Sequence, residues 1–571
     1  MKKPELGWKD LNWKQIENHI FKLQEQIYSS AKKGEIKTVR KFQKGILRHP
    51  EAKLLAVRKV TQDNRGKSTP GLDGIKSLSP QERLELAKNL RITSNASPVK
   101  RIYIPKPGKN EVRPLGIPTI EDRARQALVK LALEPEWEAY FEPNSYGFRP
   151  GRNCHDAIKQ IQISIAYMPK YVLDADISKC FDSINHHALL KKINQRGLLQ
   201  KQIKAWLKAG YVVFPNKKVT TTEVGTPQGG VLSPLLANIA LHGLETNLKE
   251  ISAKVPQNFS SGNPKSREQK LRSLTVVRYA DDFVVMHENY EILLLCKLET
   301  EKFLQSVGLK LSESKTRITH SLNDSMSQDG KAGFNFLGFT IKQESERIRS
   351  VRNRSTGESL GFRTLIIPSK KSLKSHQKVI SEKIRLYTDQ NALIANLNPV
   401  ISGWSRYFGV SHASLRGILQ NQDELLYRKL KQWGYRRTLS RKLAFKRYWI
   451  HDGKKWAYGN KQYHLYFHRD YASSIVKYPK VKGNMSPFDR NTSYWTQRLI
   501  NSPNLPITKQ KLLNKQNGIC SFCELRFQPN DLMEIHHKKP RKEGGTDRIS
   551  NLEIVHGHCH DQLHNKLKRI L

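Results

Sequence analysis

Two adjacent carboxylates, Asp281 and Asp282, stand between the short apolar runs 274–277 and 283–285. This pattern predicts a β-hairpin whose tight turn presents acid. A third candidate, Asp176, belongs to another strand-like run well upstream. Three converging carboxylates can bind two divalent cations, and two Mg²⁺ ions roughly 3.5–4 Å apart can activate a 3′-hydroxyl and stabilise a leaving pyrophosphate. The three acids are therefore compatible with nucleotidyl transfer.

The acids alone do not identify a metal site, because acidic residues at strand ends are usually solvated turn residues. Asp174 also precedes Asp176 in the same run, and the alternation of side chains along a strand would put both carboxylates on one face. The surrounding segments must decide whether these acids form a turn or a metal site. They must also decide between Asp174 and Asp176.

These surrounding segments follow one another in a definite order. The glycines of one of them, Gly229 and Gly230, would let the backbone approach a nucleotide closely. In order and spacing, the segments resemble the successive blocks of the reverse transcriptases encoded by group II introns. The resemblance runs from about residue 55 to residue 345, through the segments 103–106, 113–118, 145–152, 177–184, 225–235, 308–316 and 336–339.

The resemblance implies roles for individual residues. Asp176, Asp281 and Asp282 match the carboxylates that bind two Mg²⁺ ions in the palm domain, and only this match favours Asp176 over Asp174. Phe181 matches the aromatic residue that packs under the incoming sugar and excludes a 2′-hydroxyl. Arginine binds phosphate oxygens directionally, and the residues that match the pocket for the deoxynucleoside triphosphate are Lys106, Arg113 and Gln228.

Composition indicates a polyanionic partner independently of this resemblance. The 571 residues contain 99 Lys and Arg but only 51 Asp and Glu, which gives a formal net charge of +48. Such an excess is typical of nucleic-acid-binding proteins. A hydrophobic content of 37% is enough for packed cores, which argues against a disordered basic tail. No stretch reaches the roughly 18 apolar residues of a membrane span, so we expect no membrane partner and a cytoplasmic protein.

The pattern along the chain predicts a multidomain α/β and α protein. The resemblance implies a right-hand polymerase, with α/β fingers and palm around an antiparallel palm sheet and an α-helical thumb. The expected domains are an amino-terminal extension on intron RNA (1–54), fingers and palm (55–368), a thumb that serves as maturase domain (369–450), a DNA-binding region (451–505) and a nuclease domain (506–571). A helix is expected from Trp13 to about Lys32, and 246–272 reads as a surface insertion in the palm.

The segment from 369 onward is helical and basic, and its run 397–408 resembles the signature of the maturase domain. Residues 427–449 carry nine Lys or Arg, six aromatic residues and no acid. A basic surface helix with a buried aromatic stripe is the alternative interpretation, but uncompensated charge of one sign favours contact with phosphate. The candidate RNA contacts are Arg428, Lys429, Lys431, Arg436, Arg437, Arg441 and Lys442.

The region 451–505 resembles the linker and DNA-binding region of the chloroplast-like branch of these intron proteins. Its aromatic residues include Tyr494 and Trp495. They could stack on bases or hold a small domain together, and the sequence leaves both interpretations open.

Two ligand pairs in the last domain predict a structural zinc ion. Cys520 and Cys523 form one Cys-x-x-Cys pair, and His556 and Cys559 form the other at the same spacing. Zinc prefers four tetrahedral sulfur and nitrogen ligands, so we expect a Cys3His site. His558 is an alternative source of the nitrogen ligand.

A second group of histidines lies between and after these pairs. His560 and His564 are one helical turn apart, and the order of elements resembles the HNH endonucleases, whose ββα fold binds a single divalent metal ion. This match implies that His537 is the general base, that the metal ligands are His536, His560 and His564, and that Asn551 orients the loop that holds the base. Because side chains alternate along a strand, the division of roles between His536 and His537 depends on the match alone. A zinc ribbon that only binds DNA is the alternative.

Together the resemblances imply a group II intron reverse transcriptase and maturase. It would bind its intron RNA, assist splicing, nick target DNA and use the new end to prime DNA synthesis from dNTPs. A splicing-only maturase with vestigial sites is one alternative, but every expected carboxylate and histidine is present. A reverse transcriptase of a defence or diversification system is another alternative. Residues 369–571 argue against it, because such an enzyme needs no maturase domain and usually has no HNH domain. The cognate intron, the nuclease metal and a homodimer of the RNA-free protein stay open.

Overall fold

The computed structural model describes residues 7–105, 111–215, 218–259, 261–345, 352, 357–451, 456–460, 463–503, 505–529 and 531–570. The expected triphosphate-binding residue Lys106 lies outside these ranges. No helix within them is both long enough and apolar enough to span a membrane.

The helices and strands of the described residues mix α/β parts with purely helical parts. The α-helices are α1 (Trp13–Lys32), α2 (Ile36–Arg48), α3 (Pro50–Arg58), α4 (Pro80–Asn89), α5 (Ile120–Tyr140), α6 (Cys154–Ser164), α7 (Cys180–Ser183), α8 (His186–Ile193), α9 (Gly197–Lys208), α10 (Ser233–Leu241), α11 (Leu244–Lys254), α12 (Arg267–Ser273), α13 (Tyr290–Ser306), α14 (Lys370–Leu386), α15 (Gln390–Gly409), α16 (Ile418–Thr438), α17 (Arg441–Tyr448), α18 (Thr492–Ile500), α19 (Ile507–Lys515) and α20 (Gly557–Ile570). The strands are β1 (Val99–Pro105), β2 (Val112–Ile117), β3 (Tyr171–Asp176), β4 (Tyr211–Val213), β5 (Val219–Thr220), β6 (Thr275–Tyr279), β7 (Asp282–His287), β8 (Arg317–His320), β9 (Phe334–Phe336), β10 (Phe339–Ser345), β11 (Phe362–Pro368), β12 (Trp449–His451), β13 (Trp456–Tyr458), β14 (Met533–His537) and β15 (Leu552–His556).

The amino-terminal helices pack on the long helix α5. Helix α1 has the expected bounds, and it buries Ile16, Ile20 and Ile27 at helical spacing. These side chains share a core with Leu128 of α5. Helix α3 runs across residue 54, so the chain is continuous and helical at the expected boundary of the first domain.

A four-stranded sheet of order β6-β7-β3-β8, here the acid-bearing sheet, carries the predicted carboxylates. Its strand pairs are antiparallel. Leu173, Phe283 and Val285 are fully buried in its core, which fixes the register because a slip of one residue would expose them. A second sheet of order β2-β1-β4-β5 includes the only parallel pair among the named strands of the described chain, between β1 and β4.

The helical unit α14–α17 is joined to the acid-bearing sheet by the three-stranded sheet β11-β10-β9. Phe339 of β10 and Phe408 of α15 are in contact, with ring centroids 4.9 Å apart. Further along α15–α16, Leu397, Leu430 and Trp433 form a separate core. The helical unit is therefore attached to the sheet by an apolar contact but has its own interior.

The segment around α18 packs on α6 instead of forming a separate surface module. The buried Asp156 of α6 accepts hydrogen bonds from Arg498 Nη2 at 2.6 and 2.7 Å and from the backbone N–H of Val481 at 2.8 Å. Trp495 is 3% exposed and donates its Nε1–H to the Ser486 carbonyl at 3.0 Å. The structure thus favours packing over base stacking for Trp495.

The carboxyl-terminal part consists of the hairpin β14-β15 followed by α20. Its core is small and includes Phe527, Ile554 and Val555. Cys520 and Cys559 are buried in that core. A domain with so few apolar residues depends on additional cross-links for its stability.

Candidate functional site

The three predicted palm carboxylates lie together in one cleft of about 1120 Å³. Asp176 ends β3 and is the cross-strand partner of Asp282, which begins β7. Tyr279 pairs with Asp282 to close the β6–β7 hairpin, so Asp281 lies in its two-residue turn. The expected hairpin is confirmed, and it brings acids that are distant in sequence to one edge of the sheet.

The backbone of this turn is fixed by close contacts. Ala280 has a φ of +60°, a left-handed conformation that a non-glycine residue adopts only where its surroundings impose it. Arg278 is buried and donates Nη1–H to the Ala280 carbonyl at 3.2 Å and to Asn238 Oδ1 at 2.9 Å. A Cβ at Gly147 would lie 2.3 Å from the Ala280 nitrogen. Only glycine at 147 therefore allows this approach to the turn.

The electrostatics of the cleft favour a cation. Burial, followed by repulsion from Asp281 and Asp176, raises the pKa of the Asp282 carboxyl to about 7. Burial also raises the pKa of Asp281. Lys315 forms an ion pair with Asp176, and this hydrogen bond raises the pKa of the lysine. The repulsion among the three carboxylates would be relieved by cations that enter the cleft.

Asp174 lines the same cleft but has a different partner. Its Oδ2 lies 3.6 Å from Arg317 Nε on β8. Burial raises the pKa of Asp174 to about 6, and Arg317 opposes that shift. Asp174 is thus paired with an arginine of its own sheet, whereas Asp176 is paired with Lys315 and lies opposite Asp282.

Three further candidates, Arg113, Phe181 and Gln228, line this cleft. Gln228 donates Nε2–H to Asp182 Oδ2 at 3.2 Å. Phe181 makes an edge contact with Phe148 at 6.0 Å between centroids. The structure therefore gathers the described nucleotide candidates around the carboxylates.

Two lysines of the cleft were missed by the sequence interpretation. Lys315 belongs to a segment that carried the family resemblance, but only its contact with Asp176 indicates a role. Lys371 comes from helix α14, outside the acid-bearing sheet, and lines the same cleft. Its position depends on how the helical unit packs on the sheet, which no local pattern predicts.

Cys520, Cys523, His556 and Cys559 converge, with one donor atom from each residue within 4.8 Å of the others. All four residues are buried, and Cys523 Sγ lies 3.3 Å from His556 Nδ1. Three sulfurs and one imidazole nitrogen at such separations fit a tetrahedral zinc ion.

The orientation of the His556 ring is set by Asp531, which the sequence interpretation missed. Asp531 Oδ2 lies 3.2 Å from His556 Nε2. A carboxylate on Nε2 leaves Nδ1 free to bind metal, as is usual for zinc-binding histidines. His558 stacks on His556 at 5.4 Å, but its Nε2 lies 3.9 Å from Glu17 Oε1. His558 is therefore directed away from the zinc ligands.

His536, His560 and His564 form a second cluster of donor atoms within 4.8 Å of one another. The Nε2 atoms of His560 and His564 are 3.1 Å apart. Glu534 Oε2 lies 3.1 Å from His560 Nδ1 and orients that ring. Burial lowers the pKa values of His536 and His560, which favours the neutral rings that bind divalent metal ions.

His537 lies outside this cluster and has its own carboxylate. Its Nε2 is 2.7 Å from Asp547 Oδ1. Arg541 Nη2 donates to both oxygens of Asp547, at 2.9 and 3.0 Å. Hydrogen bonds from His537 and Arg541 lower the pKa of Asp547. A charged Asp547 on Nε2 leaves Nδ1 of His537 available to accept a proton.

Asn551 closes the loop between His537 and Asp547. Its Oδ1 accepts the Lys539 N–H at 2.9 Å, and its Nδ2 donates to the carbonyls of Lys539 at 3.1 Å and Thr546 at 2.8 Å. A Cβ at Gly545 would lie 1.9 Å from the Lys539 oxygen, so the closed loop requires glycine there.

The candidate RNA contacts lie on α16 and α17. Arg437 is tied to its own domain, because its guanidinium lies 3.8 Å over the Trp433 ring and donates to the Trp433 carbonyl at 3.0 Å. Arg436, its neighbour, is exposed. Also exposed are Arg428, Lys431, Arg441 and Lys442, whereas Lys429 is half-buried.

Four models of known protein families match successive parts of the chain. Residues 104–341 match the model of the reverse transcriptases (RNA-dependent DNA polymerases), and residues 8–90 match the amino-terminal domain of reverse transcriptases. Residues 373–449 match the maturase-specific domain of group II introns, and residues 520–566 match the HNH endonucleases.

Curated proteins of similar sequence cover different shares of the chain. Protein YkfC of Escherichia coli is 31% identical over 329 residues, which are 52% of this chain and 82% of YkfC. The group II intron-encoded protein LtrA of Lactococcus lactis is 31% identical over 377 residues, 57% of this chain and 60% of LtrA. A 91 kDa protein in the cob intron of Schizosaccharomyces pombe is 29% identical over 426 residues, 65% of this chain and 51% of that protein. The chain thus spans well over half of LtrA and about half of the yeast protein.

Proposed function

Since this chain belongs to the group II intron-encoded reverse transcriptases with a maturase domain and an HNH endonuclease domain, we propose that it serves one intron in three ways. It binds the intron RNA and assists splicing. It nicks one strand of the target DNA. It then copies the inserted intron RNA from the end that the nick creates.

For DNA synthesis, the acid-bearing sheet serves as the palm, the β2-β1-β4-β5 sheet with α4 and α5 as part of the fingers, and α14–α17 as the thumb. Asp176, Asp281 and Asp282 hold two Mg²⁺ ions, which activate the primer 3′-hydroxyl and stabilise the departing pyrophosphate when bound. The cross-strand pairing of Asp176 with Asp282 supports this assignment.

The residues around the acids select and orient the dNTP. Arg113 contacts the triphosphate, and Phe181 occupies the volume that a 2′-hydroxyl would need. Asp182 holds the Gln228 amide at 3.2 Å, which orients that amide towards the nucleotide. Lys315 is paired with Asp176, and its ammonium group beside the acids would contact phosphate oxygens of the dNTP.

For splicing, the exposed cations of α16 and α17 contact phosphates of the intron RNA. The aromatic residues of these helices divide between two locations. Trp433 and Tyr448 are buried, whereas Tyr427 and Tyr435 are exposed beside the cations. The exposed pair is available to stack on unpaired bases.

For DNA cleavage, His537 Nδ1 accepts a proton from the attacking water, while Asp547 holds the ring through Nε2. His536, His560 and His564 hold the divalent metal ion, which stabilises charge on the scissile phosphate when bound. The Cys3His zinc ion is structural and cross-links a domain whose own core is small.

The observation that carries the proposal is the convergence of Asp176, Asp281 and Asp282 with Arg113 and Phe181 in one cleft, on a chain that also holds the basic helices and the nuclease histidines. The test is to purify the ribonucleoprotein, sequence its RNA and incubate it with DNA that spans the insertion site of that RNA. We expect an excised intron, a nick in one strand and complementary DNA joined to the nicked end. An RNA other than a structured intron would overturn the proposal, and splicing without nick or DNA product would indicate a splicing-only maturase.

A further inference from the structure

The nuclease domain is packed against residues 9–83, here called the amino-terminal segment. One hydrogen bond between the two parts joins residues that are more than five hundred positions apart in sequence. Gln562 of α20 donates Nε2–H to the Lys9 carbonyl at 3.0 Å. Lys14 of α1 forms an ion pair of 2.6 Å with Glu524, in the turn that follows the zinc ligand Cys523. Residues 9–14 therefore contact the nuclease domain beside the proposed zinc ligand Cys523.

The centre of this contact is buried. Trp13 is 4% exposed and makes an edge contact with His558 at 6.4 Å between ring centroids. The Arg58 guanidinium lies 4.6 Å over the Trp13 ring and forms an ion pair with Glu17. His558 of the nuclease domain also lies 3.9 Å from Glu17 through its Nε2, so buried side chains of both parts meet at this interface.

Beside this interface lies a cleft of about 380 Å³ between the nuclease domain and the amino-terminal segment. The wall on the nuclease side includes His564, one of the three candidate metal ligands, and Asp561. The opposite wall is basic and comes from outside the nuclease domain, with Lys9, Lys67, Lys76 and Arg83. Four cations thus face one acid across a cleft that ends at the metal cluster.

The basic wall has capacity for an anion. Lys67 and Lys76 are exposed. Within the described residues Lys76 makes no ion pair, and the ammonium group of Lys67 donates to the Gln62 carbonyl at 3.2 Å. Arg83 Nε is buried without a hydrogen-bond partner among the described residues. Burial lowers the pKa of Arg83, and Asp561 opposes that shift. One nearby carboxylate does not neutralise four cations.

We propose that this cleft binds the backbone of the DNA strand that the nuclease cuts, with Lys67, Lys76 and Arg83 contacting phosphates next to the metal cluster. The inference rests on the nuclease part of the proposed function and adds substrate contacts from outside the nuclease domain. DNA is favoured over RNA because His564, which lines the same cleft, belongs to the proposed site of DNA cleavage. The nuclease domain supplies the reacting groups, and the amino-terminal segment holds the strand in position beside them.

The experiment compares Lys67→Gln and Lys76→Gln, singly and together, with the control Lys88→Gln. Lys88 is exposed on α4, the helix that carries Arg83, but does not line the cleft. All variants are assembled with the intron RNA as ribonucleoproteins. Removal of one phosphate-binding lysine should raise the KM for nicking roughly fivefold near physiological salt and reduce the salt slope of DNA binding by about 0.9. Lys88→Gln should match the unsubstituted protein in both measurements.

DNA binding is measured in a His537→Ala background, so that affinity is read without cleavage. Zinc content and protease resistance identify a variant whose nuclease domain has lost its fold. Such a variant is replaced by the arginine substitution at the same position, which keeps the positive charge and should restore the KM for nicking. Unchanged KM and salt slope in the double variant would overturn the inference. A loss of intron RNA affinity with unchanged nicking KM would instead assign the cleft to RNA. Absence of nicking by the unsubstituted protein would contradict the proposed nuclease itself, a result separate from these.

Discussion

Asp176 lies directly opposite Asp282 on neighbouring antiparallel strands. Like charges in such a position destabilise a sheet, and the third carboxylate, Asp281, is in the adjoining turn. Lys315 offsets part of this repulsion through its contact with Asp176. The arrangement is unfavourable for the isolated fold and favourable for cation binding, so it is better explained by function than by stability.

This relationship predicts that Mg²⁺ binding depends on pH. The pKa of Asp282 is raised to about 7, and its carboxyl must lose the proton before it can bind metal. The Mg²⁺ concentration for half-maximal primer extension should therefore rise roughly tenfold between about pH 8 and about pH 6. Primer extension at several Mg²⁺ concentrations and pH values measures this effect. A pH-independent requirement would contradict the raised pKa.

The same shift has a consequence for the metal-free protein. A carboxyl whose pKa is raised on folding stabilises the folded state fully below its unfolded pKa, near 4, and loses that contribution as pH rises through about 7. Asp282→Asn should remove this part of the pH dependence. Thermal unfolding of both proteins without Mg²⁺, across this pH window, provides the control.

The second prediction separates DNA synthesis from splicing. Asp281 occupies a turn and contributes no core contact, so Asp281→Ala should lower primer extension about a thousandfold or more, because a metal ligand is removed, and leave intron binding and splicing intact. Asp174→Asn is the matched control, since Asp174 is paired with Arg317 and should retain most of the synthesis. Equal loss of splicing and synthesis in Asp281→Ala would mean that Asp281 is structural.

The third prediction concerns the choice of sugar. Phe181 lines the cleft beside the carboxylates and contacts Phe148, so Phe181→Ala should remove the volume that excludes a 2′-hydroxyl. Incorporation of ribonucleotides relative to deoxynucleotides should increase by about ten- to a hundredfold, the range for one steric contact. Phe148→Ala serves as a control for general loosening of the pocket. Unchanged discrimination in Phe181→Ala would exclude the steric role.

Local features of this chain could be predicted from the sequence because they depend on neighbours along the chain. The helix Trp13–Lys32 follows from the spacing of its apolar residues. The β6–β7 hairpin follows from two apolar runs around a short acidic turn. The left-handed Ala280 in that turn was not predictable, because it is imposed by Arg278 and by the approach of Gly147.

Contacts between distant segments could not be predicted. Asp156 and Arg498 are separated by 342 residues and form a buried pair, and neither lies in a pattern that indicates the other. Asp531 and Asp547 orient His556 and His537, yet each is an ordinary loop acid in the sequence. Such partners are defined by tertiary packing, whereas the candidate zinc ligands are recognisable because zinc-binding residues recur at a fixed spacing.

The fourth prediction distinguishes phosphate contact from packing on α16. Arg436 and Arg437 are both exposed, but the guanidinium of Arg437 lies over the Trp433 ring at 3.8 Å. Arg436→Gln should lower RNA affinity and reduce the salt slope of binding by roughly 0.7 to 0.9. Arg437→Gln should mainly lower the unfolding temperature, because it removes a cation–π contact worth about 0.5–1 kcal/mol. Salt-dependent binding and thermal unfolding of both variants measure the two effects, and equal effects on the salt slope would contradict this division.

The last prediction separates the two metal sites of the nuclease domain. His556→Ala should release zinc and expose the residues from about 510 onward to protease, because so small a domain depends on its metal. His556→Cys should keep the zinc, since a thiolate can replace the imidazole. Full zinc content in His556→Ala would show that His556 is not a ligand.

His537→Ala should keep zinc and protease resistance but lower nicking by about a hundred- to ten-thousandfold, the usual contribution of a general base. Asp547→Asn should keep the His537 ring in place yet weaken its preference for the tautomer with a free Nδ1, and so lower nicking to a smaller extent. Reverse splicing into DNA and synthesis from a supplied primer should continue in both variants, because neither uses this site. Normal nicking by His537→Ala would assign the base to another residue, and equal nicking by Asp547→Asn and the unsubstituted protein would mean that the 2.7 Å contact between Asp547 and His537 has no catalytic role.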